Sequence, residues 1–143
     1  MDYIYDAHFE TDPEGGFLVT FPDVPEAITA GSDEAEARSN AVEALGLALR
    51  GRLADGRPLP APRRARREHV RIAVDPEDAL KLALIEAFAR SGLSKSEFAR
   101  RLGKADTEGR RILDPDHPTK LGVMQAALAL LGKAVVVSVR DAA

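Results

Sequence analysis

The sequence predicts an α+β chain built from two small domains. Three observations carry that prediction. Residues 3–21 alternate along the chain with a period of two around a turn rich in Pro and Gly. Residues 76–131 repeat apolar side chains at helical spacing. Between them, residues 56–65 hold four prolines or glycines and show no period. A length of 143 residues fits one ordinary domain or two small ones.

The elements follow in order. Tyr3, Tyr5, Ala7 and Phe9 share one face, and Ile4, Asp6, His8 and Glu10 share the other, which predicts a half-buried strand. Asp12-Pro13-Glu14-Gly15-Gly16 is a turn, because Pro fixes one φ and the glycines accept positive φ. Phe17, Val19 and Phe21 then alternate with Leu18 and Thr20, giving a second strand and a hairpin. Pro22 and Pro25 bracket a bend, and residues 27–31 read as a short third strand. Asp33 with Glu36 matches a helix N-cap and its reciprocal partner. Val42, Leu45, Leu49 and Leu53, with Ala41 and Ala48, place that helix across one face of the sheet. Residues 56–68 are a linker or surface loop, and Val70, Ile72 and Val74 mark a fourth strand over 69–74. The first domain, 1–75, is thus βββαβ with a mostly antiparallel sheet.

The second domain, 76–143, is helical. Asp75 caps its first helix, Pro76 opens it, and Leu80, Leu84, Ala87 and Phe88 form its apolar stripe, widened by Leu82 and Ile85. Ser91-Gly92 ends this helix, and Ser94 with Glu97 starts the next as a capping box. Gly132 ends the last helix. Residues 134–139, nearly all apolar and β-branched, read as a C-terminal strand. A lone strand needs a partner. Val135, Val136, Val137 and Val139 are therefore assigned to pairing with a second copy of the chain; completing their own domain is the alternative.

Composition narrows the class. The chain is 45% hydrophobic, 30% charged and 5% aromatic, without Trp, so its cores are built from Leu, Val, Ile and Ala. Cores this small make a homo-oligomer, dimer or higher, a further source of stability. There is no Cys, which excludes disulfides and thiolate metal sites. The start MDYIYDAHFE has no basic or apolar leader, and no apolar run nears the roughly 18 residues of a membrane span, so a cytoplasmic location is expected. Residues 1–55 carry 12 acidic and 3 basic side chains, whereas 76–143 carry 11 basic and 9 acidic. An acidic front and a mildly basic back suit two partners of opposite charge.

Residues 94–113, SKSEFARRLGKADTEGRRIL, carry the main functional signal. Ser94 to Leu102 reads as a short helix with Phe98, Ala99 and Leu102 inward, and a second runs from about Asp106 to Leu113. Two short helices that cross steeply need a small residue at the contact and a Gly at the turn; Ala99 and Gly103 meet that need. This is a helix-turn-helix pattern, whose second helix enters the major groove. Its groove side would carry Thr107, Glu108, Arg110 and Arg111, with Lys104 just ahead. Arg can take guanine O6 and N7 in a bidentate grip, so Arg110 is the leading base contact. Ser94 and Lys95 at the first helix, and Thr119 and Lys120 before the last, are phosphate candidates, with Lys95 foremost. Lys104 and Gly109 depart from the usual pattern, since both positions normally pack apolar side chains. Gly109 inside the second helix should cost about 1 kcal/mol relative to Ala.

The whole chain resembles the HicB family of antitoxins. In the N-terminal half the resemblance lies in GGFLVTFPDVPEAITAG, residues 15–31, and the Ala-rich helix after it. In the C-terminal half it lies in Glu97-Phe98-Ala99-Arg100-Arg101-Leu102 and Arg110-Arg111-Ile112-Leu113-Asp114-Pro115, similar to the helix-turn-helix that many members append. The resemblance implies a partial ribonuclease-H-like N-terminal domain that binds and blocks a small basic HicA-type toxin, an mRNA-cleaving ribonuclease. It implies that the C-terminal domain binds operator DNA as a dimer or higher oligomer and represses its own operon. Asp6, Asp12, Glu14, Asp23 and Glu26, on strand edges and adjoining loops, are then toxin-contact candidates.

Asp6, Glu10, Asp12 and Asp23 would need to converge to hold metal, and they read instead as a solvated acidic face. His8, His69 and His117 are far apart in sequence and read as exposed. Arg63, Arg64, Arg66 and Arg67 suit either phosphate contact or a solubilising linker. No catalytic residue, metal or cofactor is assigned. The competing functions are a stand-alone transcriptional regulator whose first domain senses a ligand or another protein, and a weak carboxylate nuclease.

Overall fold

The computed structural model describes residues 1–61, 63 and 66–142, and it divides into two compact units, Met1–Pro76 and Glu77–Ala142. The first contains strands β1 (Ile4–Thr11), β2 (Phe17–Thr20), β3 (Ile28–Gly31) and β4 (Val70–Ala73), with helix α1 (Glu34–Ala54). The second holds α2 (Pro76–Ser91), which opens at the last residue of the first unit, then α3 (Lys95–Arg101), α4 (Asp106–Ile112) and α5 (Leu121–Leu130).

The sheet runs β3-β2-β1-β4, and every pairing is antiparallel. β1 serves two neighbours with its two halves. Ile4–Ala7 pair with β4, and His8–Thr11 pair with β2. Tyr3, Tyr5, Ala7, Val19, Ile72 and Val74 are buried, and Ala37, Ala41, Leu45 and Leu49 of α1 are buried likewise. The burial stripe of α1 therefore begins one turn earlier than its larger side chains suggest, while Val42, Ala48 and Leu53 are half-buried. Asp33 Oδ1 accepts the Glu36 amide at 2.8 Å, as a cap should. The Glu36 carboxylate, however, reaches Ser32 N and Oγ (3.2 and 3.1 Å), one residue beyond the reciprocal partner expected. A Cβ on Gly31 would run into the backbone of Ala37, so β3 can meet the first turn of α1 only through a glycine.

The segment after α1 is tied to the sheet by side chains. Tyr5 Oη donates to Pro60 O (2.8 Å), and the Arg66 amide donates to Asp6 Oδ2 (3.2 Å). Arg64 of the basic cluster lies outside the described residues.

In the second unit, Leu84, Ala87, Phe98, Ile112, Leu113, Met124, Ala127 and Leu128 form one core, with Phe88 and Phe98 edge to face at 5.4 Å. Gly103 (φ 73°) ends α3: its amide donates to Arg100 O and that of Lys104 to Ala99 O, a full Schellman closure. Gly132 ends α5 the same way. Beyond it the predicted strand is not formed in the single chain. Val135 packs on the core of its own unit, while Val136, Val137 and Val139 are 82–93% exposed. A strand needs a ladder, and the described residues offer this tail none.

Candidate functional site

The α3–α4 pair is built around one close contact. A Cβ placed on Gly109 would lie 2.5 Å from Ala99 Cβ, and Gly109 is buried. Ala99 is thus the small residue at the contact and Gly103 the glycine of the turn, as expected, and the counterpart that Ala99 meets is Gly109. Gly109 is the condition for the two helices to touch, whatever it costs in helix propensity. Ser94 caps α3 by accepting the Glu97 amide (3.1 Å), but the Glu97 carboxylate turns to Arg101 (2.8 Å) and Arg100 (3.5 Å) and leaves the capping box half made. Ser96 Oγ donates to Asp106 Oδ2 across the turn (3.3 Å).

This arrangement leaves Ser94, Lys95, Lys104, Thr107, Arg110 and Arg111 exposed and Glu108 half-buried. Arg111 has only a loose ion pair with Glu108 at 3.9 Å. Among the described residues Lys95, Lys104 and Arg110 have no ion-pair partner within 4 Å. Lys120 is exposed and occupies the N-cap of α5 without a side-chain cap bond. Thr119 differs from expectation. It is half-buried and its Oγ1 accepts from Lys81 Nζ, so its hydroxyl is committed inside the protein.

Lys81 belongs to none of the motifs in the sequence. It is 4% exposed, and Nζ also donates to Ile112 O (2.8 Å) and, more weakly, to Arg111 O (3.4 Å). Burial pushes its ammonium down to about 8, with nearby Asp114 acting the other way. One signal was present: residues i+3 and i+4 from Lys81 are Leu84 and Ile85, so a lone cation stood on an apolar stripe.

The acidic candidates of the first unit are mostly committed. Asp6 is 3% exposed, which corrects its placement on a solvated edge. Burial would raise its pKa, but the Arg71 guanidinium (2.8 Å), the Arg66 amide and His69 outweigh burial and hold it below the usual range. Asp23 Oδ1 lies 2.9 Å from Arg63 Nε, within ion-pair range but off the hydrogen-bond axis. Glu26 takes Arg52 in a bidentate pair (2.7 Å to each oxygen), with Arg57 at 3.7 Å. The Arg52 hydrogen bonds hold Glu26 at about 2. Asp12 accepts the Glu14 amide (2.9 Å) and shapes the hairpin, and both residues stay exposed.

Of the histidines, His8 and His117 are exposed as expected, and His69 is not. The fold brings His8 and His69 to 5.8 Å between ring centres, and His69 Nδ1 lies 3.5 Å from Asp6 Oδ2. The His69 side chain is buried rather than exposed. Among the described residues no three His, Asp or Glu side chains converge as a metal site. No helix among them is long and apolar enough to cross a membrane.

Comparison with known proteins adds identity to this geometry. Residues 4–83 match the family model described as the HicB-like antitoxin of bacterial toxin-antitoxin systems. The chain is similar to Antitoxin HicB of Escherichia coli K12, 37% identical over 123 residues, covering 85% of this chain and 88% of the relative. It is similar to Antitoxin HicB 2 of Photorhabdus laumondii, 36% identical over 129 residues, covering 90% and 91%. Antitoxin HicB of Pseudomonas fluorescens is 30% identical over 143 residues, covering 99% and 96%.

Proposed function

Because the chain belongs to the HicB-like antitoxin family, a family of regulatory proteins rather than enzymes, we propose that it neutralises a HicA-type mRNA interferase and represses its own operon. The N-terminal unit, whose sheet and single helix we read as a partial ribonuclease-H-like fold, would take the toxin. The C-terminal unit would take operator DNA as a helix-turn-helix. Both acts belong in the cytoplasm.

The observation that carries the DNA half is the exposed cationic surface of α3 and α4. Lys95, Lys104 and Arg110 are solvent-facing and unpaired among the described residues, on two short helices held together at Ala99 and Gly109 and, for Lys104, on the turn between them. Free guanidinium and ammonium groups on such a pair suit phosphate and guanine. On the toxin side, the exposed Asp12 and Glu14 are the acidic candidates left to meet a basic partner. Asp23 and Glu26 would take part only by exchanging their own arginines.

Arg110→Ala tests the reading. Loss of one bidentate base contact is expected to remove about 1–3 kcal/mol of operator discrimination, measured by anisotropy, while toxin co-purification persists. Operator discrimination that survives the substitution undiminished would show that Arg110 does not read bases. The exposed Val136, Val137 and Val139 we assign to a strand shared between two copies. Truncation after Gly132 should then yield monomers in sedimentation, and an unchanged mass would refute that assignment.

A further inference from the structure

α4 is a seven-residue helix, too short to hold itself, and its N-cap Ala105 makes no side-chain cap bond. Its order must come from tertiary ties. Gly109 on Ala99 is one and Ile112 in the core is another. The third lies at its C-terminal end, where the last carbonyls of a helix lack intrahelical donors. There Lys81, arriving from α2, donates to Ile112 O at 2.8 Å, to Arg111 O at 3.4 Å and to Thr119 Oγ1. Thr119 in turn donates weakly to His117 O (3.4 Å), in the loop that leads to Lys120. One ammonium therefore fastens α2, the end of α4 and the entry to α5.

Burying that cation is unfavourable, and an apolar side chain of similar length would fill the space without the desolvation cost. The three acceptors offset the cost, and what they gain is direction. The carbonyls gripped belong to Arg111 and Ile112, immediately after Arg110. A cation at a helix C-terminus is also favoured by the helix dipole.

We propose that Lys81 is a positioning residue for DNA reading, with Thr119 as its second anchor: the Lys81–Ile112–Thr119 clasp fixes how α4 presents Arg110 and Arg111. This rests on α4 being the base-reading helix. It also removes Thr119 from the phosphate contacts and leaves Lys120 there.

The test uses the full chain with two duplexes of equal length, one from the promoter region upstream of its own gene and one scrambled. Lys81→Met keeps the volume and removes the donors. It should weaken promoter binding about ten-fold or more while scrambled-duplex binding stays within about two-fold, because a positioning residue acts on discrimination and not on phosphate attraction. The slope of log K against log salt should stay unchanged. Thr119→Val should lower discrimination by about five-fold, and Thr119→Ser, which restores the acceptor, should recover it. Should Lys81→Met fail to fold, the Thr119→Val and Thr119→Ser pair decides alone, since it leaves the ammonium its two carbonyls. Equal loss on both duplexes, a shallower salt slope, or no loss at all overturns the inference. A wild-type chain that does not distinguish the duplexes overturns the reading of α4 itself, and the clasp proposal falls with it.

Discussion

The two units use charge in opposite ways. In the N-terminal unit the shielded charges are carboxylates, and arginines of the same unit hold them: Asp6 with Arg71, Asp23 with Arg63, Glu26 with Arg52 and Arg57. In the C-terminal unit the buried charge is a cation, Lys81, and its acceptors are two carbonyls and a hydroxyl. Net charge is therefore a poor guide to what a surface offers. Residues 1–55 hold 12 acidic side chains, yet three of the five named as partner contacts have arginines of their own. The second unit is nearly balanced in charge, yet Lys95, Lys104 and Arg110 face solvent without a counterion among the described residues. Pairing geometry, not charge count, decides which groups remain to meet a partner.

Both units also depend on a glycine where two elements touch, and the contacts differ in how far they can yield. At Gly31 an added Cβ meets backbone atoms of Ala37 and Glu36, fixed by the first turn of α1. Gly31→Ala should cost the first unit about 3 kcal/mol or more, because only a shift of the helix relieves the clash. At Gly109 the nearest atom is the Ala99 methyl. Gly109→Ala should cost the second unit about 2 kcal/mol, despite the gain in helix propensity. Adding Ala99→Gly should recover most of that loss, and no such exchange exists for Gly31. Urea unfolding separates the units, because both tyrosines, Tyr3 and Tyr5, lie in the first and there is no Trp. Tyrosine fluorescence should move with Gly31→Ala only. Helical circular dichroism should carry most of the Gly109→Ala effect. A Gly109→Ala chain as stable as wild type would mean that the α3–α4 contact is loose.

Much of this was legible in the sequence where the signal was local. The alternation of Tyr3, Tyr5 and Ala7, the Asp33 cap and the ends at Gly92, Gly103 and Gly132 are each set within a few residues, and the structure has them. What stayed hidden depends on partners far along the chain. Asp6 occupies an outward position in the alternation, so period-two reasoning put it in water. It is buried because Arg66, His69 and Arg71 arrive from 60 or more residues away. Lys81 finds Ile112 and Thr119 at separations of 31 and 38 residues. Gly109 read as a helix flaw because its reason, Ala99, lies across a turn whose crossing no periodicity describes. The composition of the valine tail predicts a strand, but pairing is a property of two segments, and among the described residues the single chain supplies one.

The contrast in charge can be measured against pH, with each variant isolating one group. Lys81 has its folded pKa lowered from 10.5 to about 8, so between those values the unfolded chain binds more protons than the folded one. Stability of the second unit should rise by about 2 kcal/mol from pH 8 to pH 10 relative to Lys81→Met, followed by helical circular dichroism. Glu26 works in the other direction. Its folded pKa is lowered from 4.5 to about 2 by Arg52, so its contribution is present above 4.5 and is lost as pH falls toward 2. The full shift would overstate the effect because the side chain is about a third exposed to solvent. After that discount, wild type should lose roughly 1 kcal/mol relative to Glu26→Gln on acidification, followed by tyrosine fluorescence. A difference that stays flat from pH 5 to pH 2 would mean that Glu26 and Arg52 separate in solution. In that event Glu26 rejoins Asp12 and Glu14 as a carboxylate free to meet a basic partner, and the acidic surface of the first unit is larger than its ion pairs indicate.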